Sequence, residues 1–231
     1  MFSKCKYLVK VPDLPVTTLA KSCYSSMFNG CTSLTAIPSN LLPATTLAPR
    51  CYNNMFGGCT SLTTIPNLPA TTLAQYCYNY MFNGCTSLTT IPSNLLPATT
   101  LANYCYQNMF GGCTSLTTIP NLPATTLAQS CYNYMFDGCT ALVETPEGWY
   151  LPAQTTDEKS CLGMFYECFK LQKMAVAYSS GKALNSWGSP WYNFLYDVSS
   201  TGTFYYSKNQ TEGNIKPIVP SGWTLVQSTE W

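Results

Sequence analysis

The dipeptide Met-Phe recurs at Met1, Met27, Met55, Met81, Met109, Met135 and Met164, in steps of 26, 28, 26, 28, 26 and 29 residues. No other feature constrains the fold as much. A period of this length marks a stacked array in which no unit can bury its apolar side alone. Each copy reads close to M-F-x-G-C-T-S-L-T-T-I-P, then L-P-A-T-T-L-A-x-x-C-Y. The alternation has one source: copies at Met27 and Met81 carry Pro-Ser-Asn-Leu-Leu-Pro, those at Met55 and Met109 the shorter Pro-Asn-Leu-Pro. A 28-residue step and a 26-residue step make a unit of 54. Residues 27–80 differ from 81–134 at five positions: Ala36/Thr90, Pro49/Asn103, Arg50/Tyr104, Asn53/Gln107 and Tyr76/Ser130.

Within one copy, Cys51-Tyr52-Asn53-Asn54-Met55-Phe56 places apolar residues at i, i+1, i+4 and i+5, which predicts one face of a short helix. Gly57-Gly58 follows as a stop. Leu62-Thr63-Thr64-Ile65 predicts a short strand closed by Pro66, and Thr71-Thr72-Leu73 a second extended piece. Stacking then aligns Leu34, Leu62, Leu88 and Leu116 in one ladder, and Ile37, Ile65, Ile91 and Ile119 in another. The Met, Phe and Cys positions form further ladders. Strands repeat at roughly 4.8 Å and helices at about 10 Å, so the array is expected to curve.

The motif resembles the BspA-like leucine-rich repeat, whose units read A-F-x-x-C-x-x-L-x-x-I-x-I-P. The matching positions are Phe28, Cys31, Leu34 and Ile37, then Phe56, Cys59, Leu62 and Ile65, and so on to Phe136, Cys139 and Leu142. The likeness covers about residues 1–174. Met stands where the family has a small residue before Phe, and the second extended segment is Pro-Ala-Thr-Thr-Leu. The resemblance implies an α/β repeat fold, a leucine-rich-repeat-like solenoid of short strands and short helices. It also implies a bacterial or phage-encoded surface protein, since the family is associated with bacterial surface adhesins, protozoan surface proteins and some phage proteins.

From about Tyr178 the period is lost and aromatic residues rise, among them Trp187, Trp191, Trp223 and Trp231. Thr203-Phe204-Tyr205-Tyr206 and Trp223-Thr224-Leu225-Val226 read as strands joined by a polar loop. The expected organisation is a solenoid over residues 1–177 and a C-terminal aromatic-rich β cap over 178–231, since an array needs its last layer covered. At the other end, Met1–Leu8 aligns with Met27–Leu34, so the sequence opens inside a repeat. Upstream chain or another subunit is expected to cover that edge, with Lys4, Lys6 and Lys10 as the alternative protection.

Charged residues make up 9% of the chain and net charge is +1, which gives no electrostatic case for nucleic acid. Between Leu14 and Phe136 there is no acidic residue, and only Lys21 and Arg50 are basic. No apolar run is long enough to span a bilayer, so no membrane insertion is expected. The sequence has 13 cysteines and no histidine, and paired cysteines lie eight residues apart, as in Cys23/Cys31 and Cys51/Cys59. Zinc motifs use pairs two to four apart, often with histidine, so no metal and no cofactor is expected. Disulfides remain open on sequence; free thiols in packing slots are favoured, because each cysteine holds a repeated core position.

Catalysis has little support. Without histidine, proton transfer falls to carboxylates, Lys, Tyr or Cys, and the acids cluster outside the central array at Glu144, Glu147, Asp157, Glu158 and Glu167. Gly57-Gly58 and Gly111-Gly112 lack the Gly-Lys-Ser/Thr of a phosphate loop. Asn209-Gln210-Thr211 matches a glycosylation acceptor, a triplet common by chance.

Binding has more. Tyr24, Tyr52, Tyr78, Tyr106 and Tyr132 repeat beside a cysteine and read as interlayer packing. The additional Tyr76, Tyr80, Tyr104 and Tyr134, with Arg50, Asn53 and Gln107, are the candidate binding residues. Four of the five differences between the 54-residue units fall in this region, where the scaffold tolerates change, and Tyr, Asn, Gln and Ser are residues that binding surfaces favour. The expected function is a non-enzymatic adhesion module, extracellular or displayed on a cell or virion, recognising a host-cell or partner protein, or a glycan. The alternative is a phage fibre or appendage component with the array as spacer. A minor alternative is an ice-binding solenoid, from the rows Thr63-Thr64, Thr89-Thr90 and Thr117-Thr118.

Overall fold

A computed structural model describes residues 1–124, 126–146, 149, 159–176, 191–208 and 210–229. The repeats stack as layers, and the stacking follows the sequence period. Leu34, Leu62, Leu88, Leu116 and Leu142 are fully buried, as are Phe28, Phe56, Phe82, Phe110, Phe136 and Phe165. Successive Phe rings stack at 5.5–5.8 Å between centroids.

Among the described residues of the array the expected short helices are absent, and this is a correction to the fold reading. Cys51–Cys59 is a ribbon of linked turns with a left-handed residue every fourth position: Arg50 at φ 59°, Asn54 at 52° and Gly58 at 71°. Alternate amides have different destinations. The N–H groups of Cys51, Met55 and Cys59 donate back three residues within the layer, to Ala48, Tyr52 and Phe56. Those of Tyr52, Asn54, Phe56 and Gly58 donate to Cys77, Asn79, Met81 and Asn83 of the next layer, at 2.7–3.0 Å. A spacing of i, i+1, i+4, i+5 fits a period of 4.0 as well as 3.6 over so short a stretch. A helix would spend its amides on itself, whereas this ribbon gives half of them to its neighbour.

The expected layer spacing of a helical side is corrected for the same reason. A helical side would have demanded about 10 Å per layer. The ribbon instead carries ring stacks that repeat at 5.5–5.9 Å. The extended side is bonded sparsely, through Thr63 N–H to Thr35 O and Asn67 N–H to Ser39 O, both 2.9 Å, and through isolated parallel bridges Thr46↔Thr72 and Thr100↔Thr126. Frequent prolines deny it longer ladders. The two extra residues of the long copies form turns in which Leu41 and Leu95 N–H bond to Pro38 O and Pro92 O, both 3.1 Å. Those turns bury an extra leucine each, so that Leu41/Leu42 and Leu95/Leu96 stand where the short copies have Leu68 and Leu122.

Two cysteine columns run through the core. Cys31, Cys59, Cys85, Cys113, Cys139 and Cys168 each donate S–H to a Phe carbonyl of the preceding layer, at 3.1–3.3 Å. The second column, Cys51, Cys77, Cys105 and Cys131, is fully buried beside the tyrosines.

The layering continues past the point where the sequence period ends. Gly163, Phe165 and Glu167 donate to the carbonyls of Tyr192, Phe194 and Tyr196 at 2.9–3.1 Å, and Asn193 and Asp197 carry the left-handed corners, both at φ 53°. Buried Trp191, Phe194 and Leu195 thereby take the places of Cys161, Met164 and Phe165. On the extended side, strands β1 (Lys173–Val176), β2 (Gly202–Tyr206) and β3 (Trp223–Gln227) form a parallel sheet in that order. Met174, Phe204 and Leu225 share one register row. β2 and β3 include the two strands read from the tail. The sheet crosses the expected boundary at 177/178, and residues 177–190 lie outside the described residues. Helix α1 (Glu212–Ile215) and the 3₁₀ turn Lys216–Ile218 bury Ile215 and Ile218 before β3.

Candidate functional site

The ribbon decides which side chains reach solvent. Its left-handed corners form columns along the array. The first holds Ser22, Arg50, Tyr76, Tyr104, Ser130 and Lys159, at φ 51–70°; the second holds Ser26, Asn54, Tyr80, Asn108 and Tyr134, at φ 51–56°. The third is glycine in five copies, Gly30, Gly58, Gly84, Gly112 and Gly138. Left-handed backbone costs a residue with a Cβ roughly 1–2 kcal/mol, which glycine avoids. The first two columns carry arginine and tyrosine there regardless.

Three of the expected site residues come together in the first column. The Arg50 guanidinium lies 4.9 Å from the Tyr76 ring centroid, and Tyr76 stacks on Tyr104 at 4.6 Å with 11° between planes. Arg50 is exposed and both rings are half-buried. Among the described residues no carboxylate pairs with Arg50, so its charge is held by the ring quadrupole and left open to an incoming group.

Tyr80 and Tyr134 belong to the second column, apart from that stack. Tyr80 is 38% exposed and its hydroxyl accepts a 3.4 Å hydrogen bond from Asn108 Nδ2. Tyr134 packs against Gly163, where an added Cβ would strike its ring, and meets Tyr166 edge-on at 6.2 Å.

Asn53 and Gln107 are placed differently from the expectation. Asn53 Nδ2 donates to Asn79 Oδ1 at 2.8 Å, and Asn79 Nδ2 donates to Gln107 Oε1 at 3.0 Å. Both are rungs of an amide ladder that ties layers together, with Asn79 itself buried. Their variation between units therefore falls inside the ladder, at rungs whose partner position is asparagine in both units.

Two tyrosines escaped the sequence reading. Tyr166 and Tyr196 stack at 5.1 Å and 10° and extend the line begun by Tyr134. Tyr166 follows the last Met-Phe directly, which was a usable signal. Tyr196 lies in a layer whose side chains no longer match the period.

The carboxyl of Asp137 sits beside this line. Burial, then the charge of Glu167, pushes it up to about 6. Burial raises the Tyr134 hydroxyl, with Asp137 adding to it. Glu147 and the pair Asp157 and Glu158 lie outside the described residues, as does Asn209. Among the described residues no group of three or more His, Cys, Asp or Glu could hold a metal ion, and no helix is long and apolar enough to cross a membrane.

Comparison with curated proteins and with solved structures gave no match. A family model described as the BspA type leucine rich repeat region does match, in 6 copies, over residues 1–109 and 50–180. Most of the chain lies within that match, and the repeating Phe, Cys and Leu columns are buried as a stacked repeat requires: the chain belongs to the BspA-type leucine-rich-repeat family.

Proposed function

We propose that this protein is a non-enzymatic binding module of the adhesion type, displayed at a cell or virion surface, which recognises a protein or glycan through the corner columns of its turn ribbon. The observation that carries the reading is the Arg50–Tyr76–Tyr104 stack. It occupies backbone positions where glycine would be easier, it is accessible, and its members differ between units that are otherwise almost identical. Neutral drift on a solvated face accounts for the differences, but not for large side chains in left-handed corners. Stacked tyrosine and arginine supply rigid contact area at low entropic cost, with amides and hydroxyls around them for hydrogen bonding. The family's association with surface adhesion agrees with this.

The test is a binding screen of the whole chain against immobilised glycans and host-cell surface proteins. Saturable binding that falls at least tenfold in Arg50→Ala or Tyr76→Ala, and not in Thr99→Ala on the extended side, supports the proposal. Binding unaffected by the two corner variants overturns the assignment of the face, and no binding overturns the function.

The ice-binding reading gains one observation. Thr46, Thr72, Thr100 and Thr126 are exposed, with Thr46↔Thr72 and Thr100↔Thr126 in parallel register. Thermal hysteresis lost on Thr72→Tyr supports it; none in the wild type eliminates it.

A further inference from the structure

We infer that the tyrosine column inside the array binds a single file of water molecules, one between each pair of layers from Tyr52 to Tyr106. Tyr24, Tyr52, Tyr78, Tyr106 and Tyr132 stack in order at 5.9, 5.8, 5.9 and 5.9 Å, with interplanar angles of 6°, 17°, 5° and 6°. Tyr52, Tyr78 and Tyr106 are each 1% exposed. Their hydroxyls are buried and have no hydrogen-bond partner in the protein.

One orphaned phenol is a local accident. Three in consecutive layers are a property of the repeat. Leaving such a group unpaired costs about 1–3 kcal/mol, so the column as it stands would be a large and repeated penalty. The same layers show that the array needs no hydroxyl for packing, because Phe56, Phe82 and Phe110 form a parallel column that stacks equally closely. The phenol oxygens therefore have work that the rings do not.

The geometry says what fits. Nearly parallel rings that repeat at 5.8–5.9 Å place their hydroxyl oxygens at close to the same repeat. That is too far for one hydroxyl to bond the next. It is the span of two O–H···O bonds of about 2.9 Å end to end. One water midway accepts from one phenol and donates to the next, so each phenol both donates and accepts. The two flanking phenols supply the minimum of the two to four partners that a buried water needs. A file with one sense of donation polarises along its length. Half-buried Tyr24 lies beyond its outer end and buried Tyr132 beyond its inner end.

The experiment compares Tyr78→Phe, Tyr106→Phe and the double variant with wild type, all as full chains, with Tyr7→Phe, at a side chain 94% exposed, as the control. Phenylalanine stacks in this array already, so folding is retained. A water file predicts that each inner variant melts several degrees lower, that the double variant loses less than the sum because the file is already cut, and that Tyr7→Phe changes little. Water oxygen relaxation dispersion should register long-lived waters in the wild type and fewer in Tyr78→Phe. A melting point for Tyr78→Phe at or above the wild type, or no long-lived water in the wild type, overturns the inference.

Discussion

Arg50 and Tyr76 occupy the same corner in successive layers, and the guanidinium of one lies 4.9 Å from the ring centroid of the other. Both hold left-handed backbone, at φ 59° and 58°. The contact is thus set by the turn ribbon, which presents one such corner per layer, and by the interlayer amides that fix the pitch.

Replacing a corner side chain by glycine should separate stability from binding. Tyr104→Gly relieves left-handed strain of roughly 1–2 kcal/mol and loses ring stacking of about 0.5–1.5 kcal/mol, so the melting point should hardly move. Ligand binding should nevertheless fall as in Arg50→Ala. A large drop in stability would show that the Tyr76–Tyr104 stack serves the scaffold.

Leu88 is fully buried in its ladder. Leu88→Asp places an unpaired carboxylate there and should cost on the order of 4 kcal/mol. Circular dichroism should show local or global loss of the array, and an unchanged melting curve would contradict the register.

Gly57 makes room for an interlayer bond. Asn29 Nδ2 donates to Asn54 Oδ1 at 3.2 Å and to Gly57 O at 2.8 Å, and a Cβ on Gly57 would collide with Asn54 Oδ1. Gly57→Ala should destabilise by about 1–3 kcal/mol. Gly213→Ala, which meets nothing within 4 Å, should not; urea titration of the pair measures both.

The thiols are expected to be reduced and slow to react. Burial pushes Cys51, Cys59 and Cys113 up to about 12, which suppresses the thiolate at neutral pH. Of the 13 cysteines, Cys5 and Cys23 are exposed and should be labelled first in native protein. All should react under denaturing, non-reducing conditions; labelling of fewer than half would mean the columns are cross-linked.

Asp137 should give the array a small acid preference. Its carboxyl rises from the usual 3.8 to about 6, by burial first and Glu167 second. The folded chain therefore holds the proton more tightly, and the contribution is full below about pH 4 and lost as pH rises through about 6. The group is only half-buried, so screening keeps the effect modest. Melting points between pH 4 and 7 should decline less in Asp137→Asn than in wild type; equal slopes would refute this.

The sequence by itself determined the stacking. Identical residues at a fixed period must sit above one another, so the Leu, Phe, Met and Cys columns were legible, and the Phe, Cys and Leu spacing carried the family. It also marked Arg50, Tyr76 and Tyr104, because near-identical units isolate the positions free to differ. Only the tertiary structure decided the rest. The pattern from Cys51 to Phe56 is ambiguous between a helix and a four-residue ribbon, and the bonds from Tyr52 to Cys77 and from Phe56 to Met81 resolve it. No local pattern reveals where an amide will find its partner in another layer. The same holds for Asn53 and Gln107, whose amides are joined through Asn79, and for Trp191 and Phe194, which fill old positions with new side chains. Periodicity reports residue identity, whereas hydrogen bonding between layers depends on backbone shape, and that shape exists only once the layers are stacked.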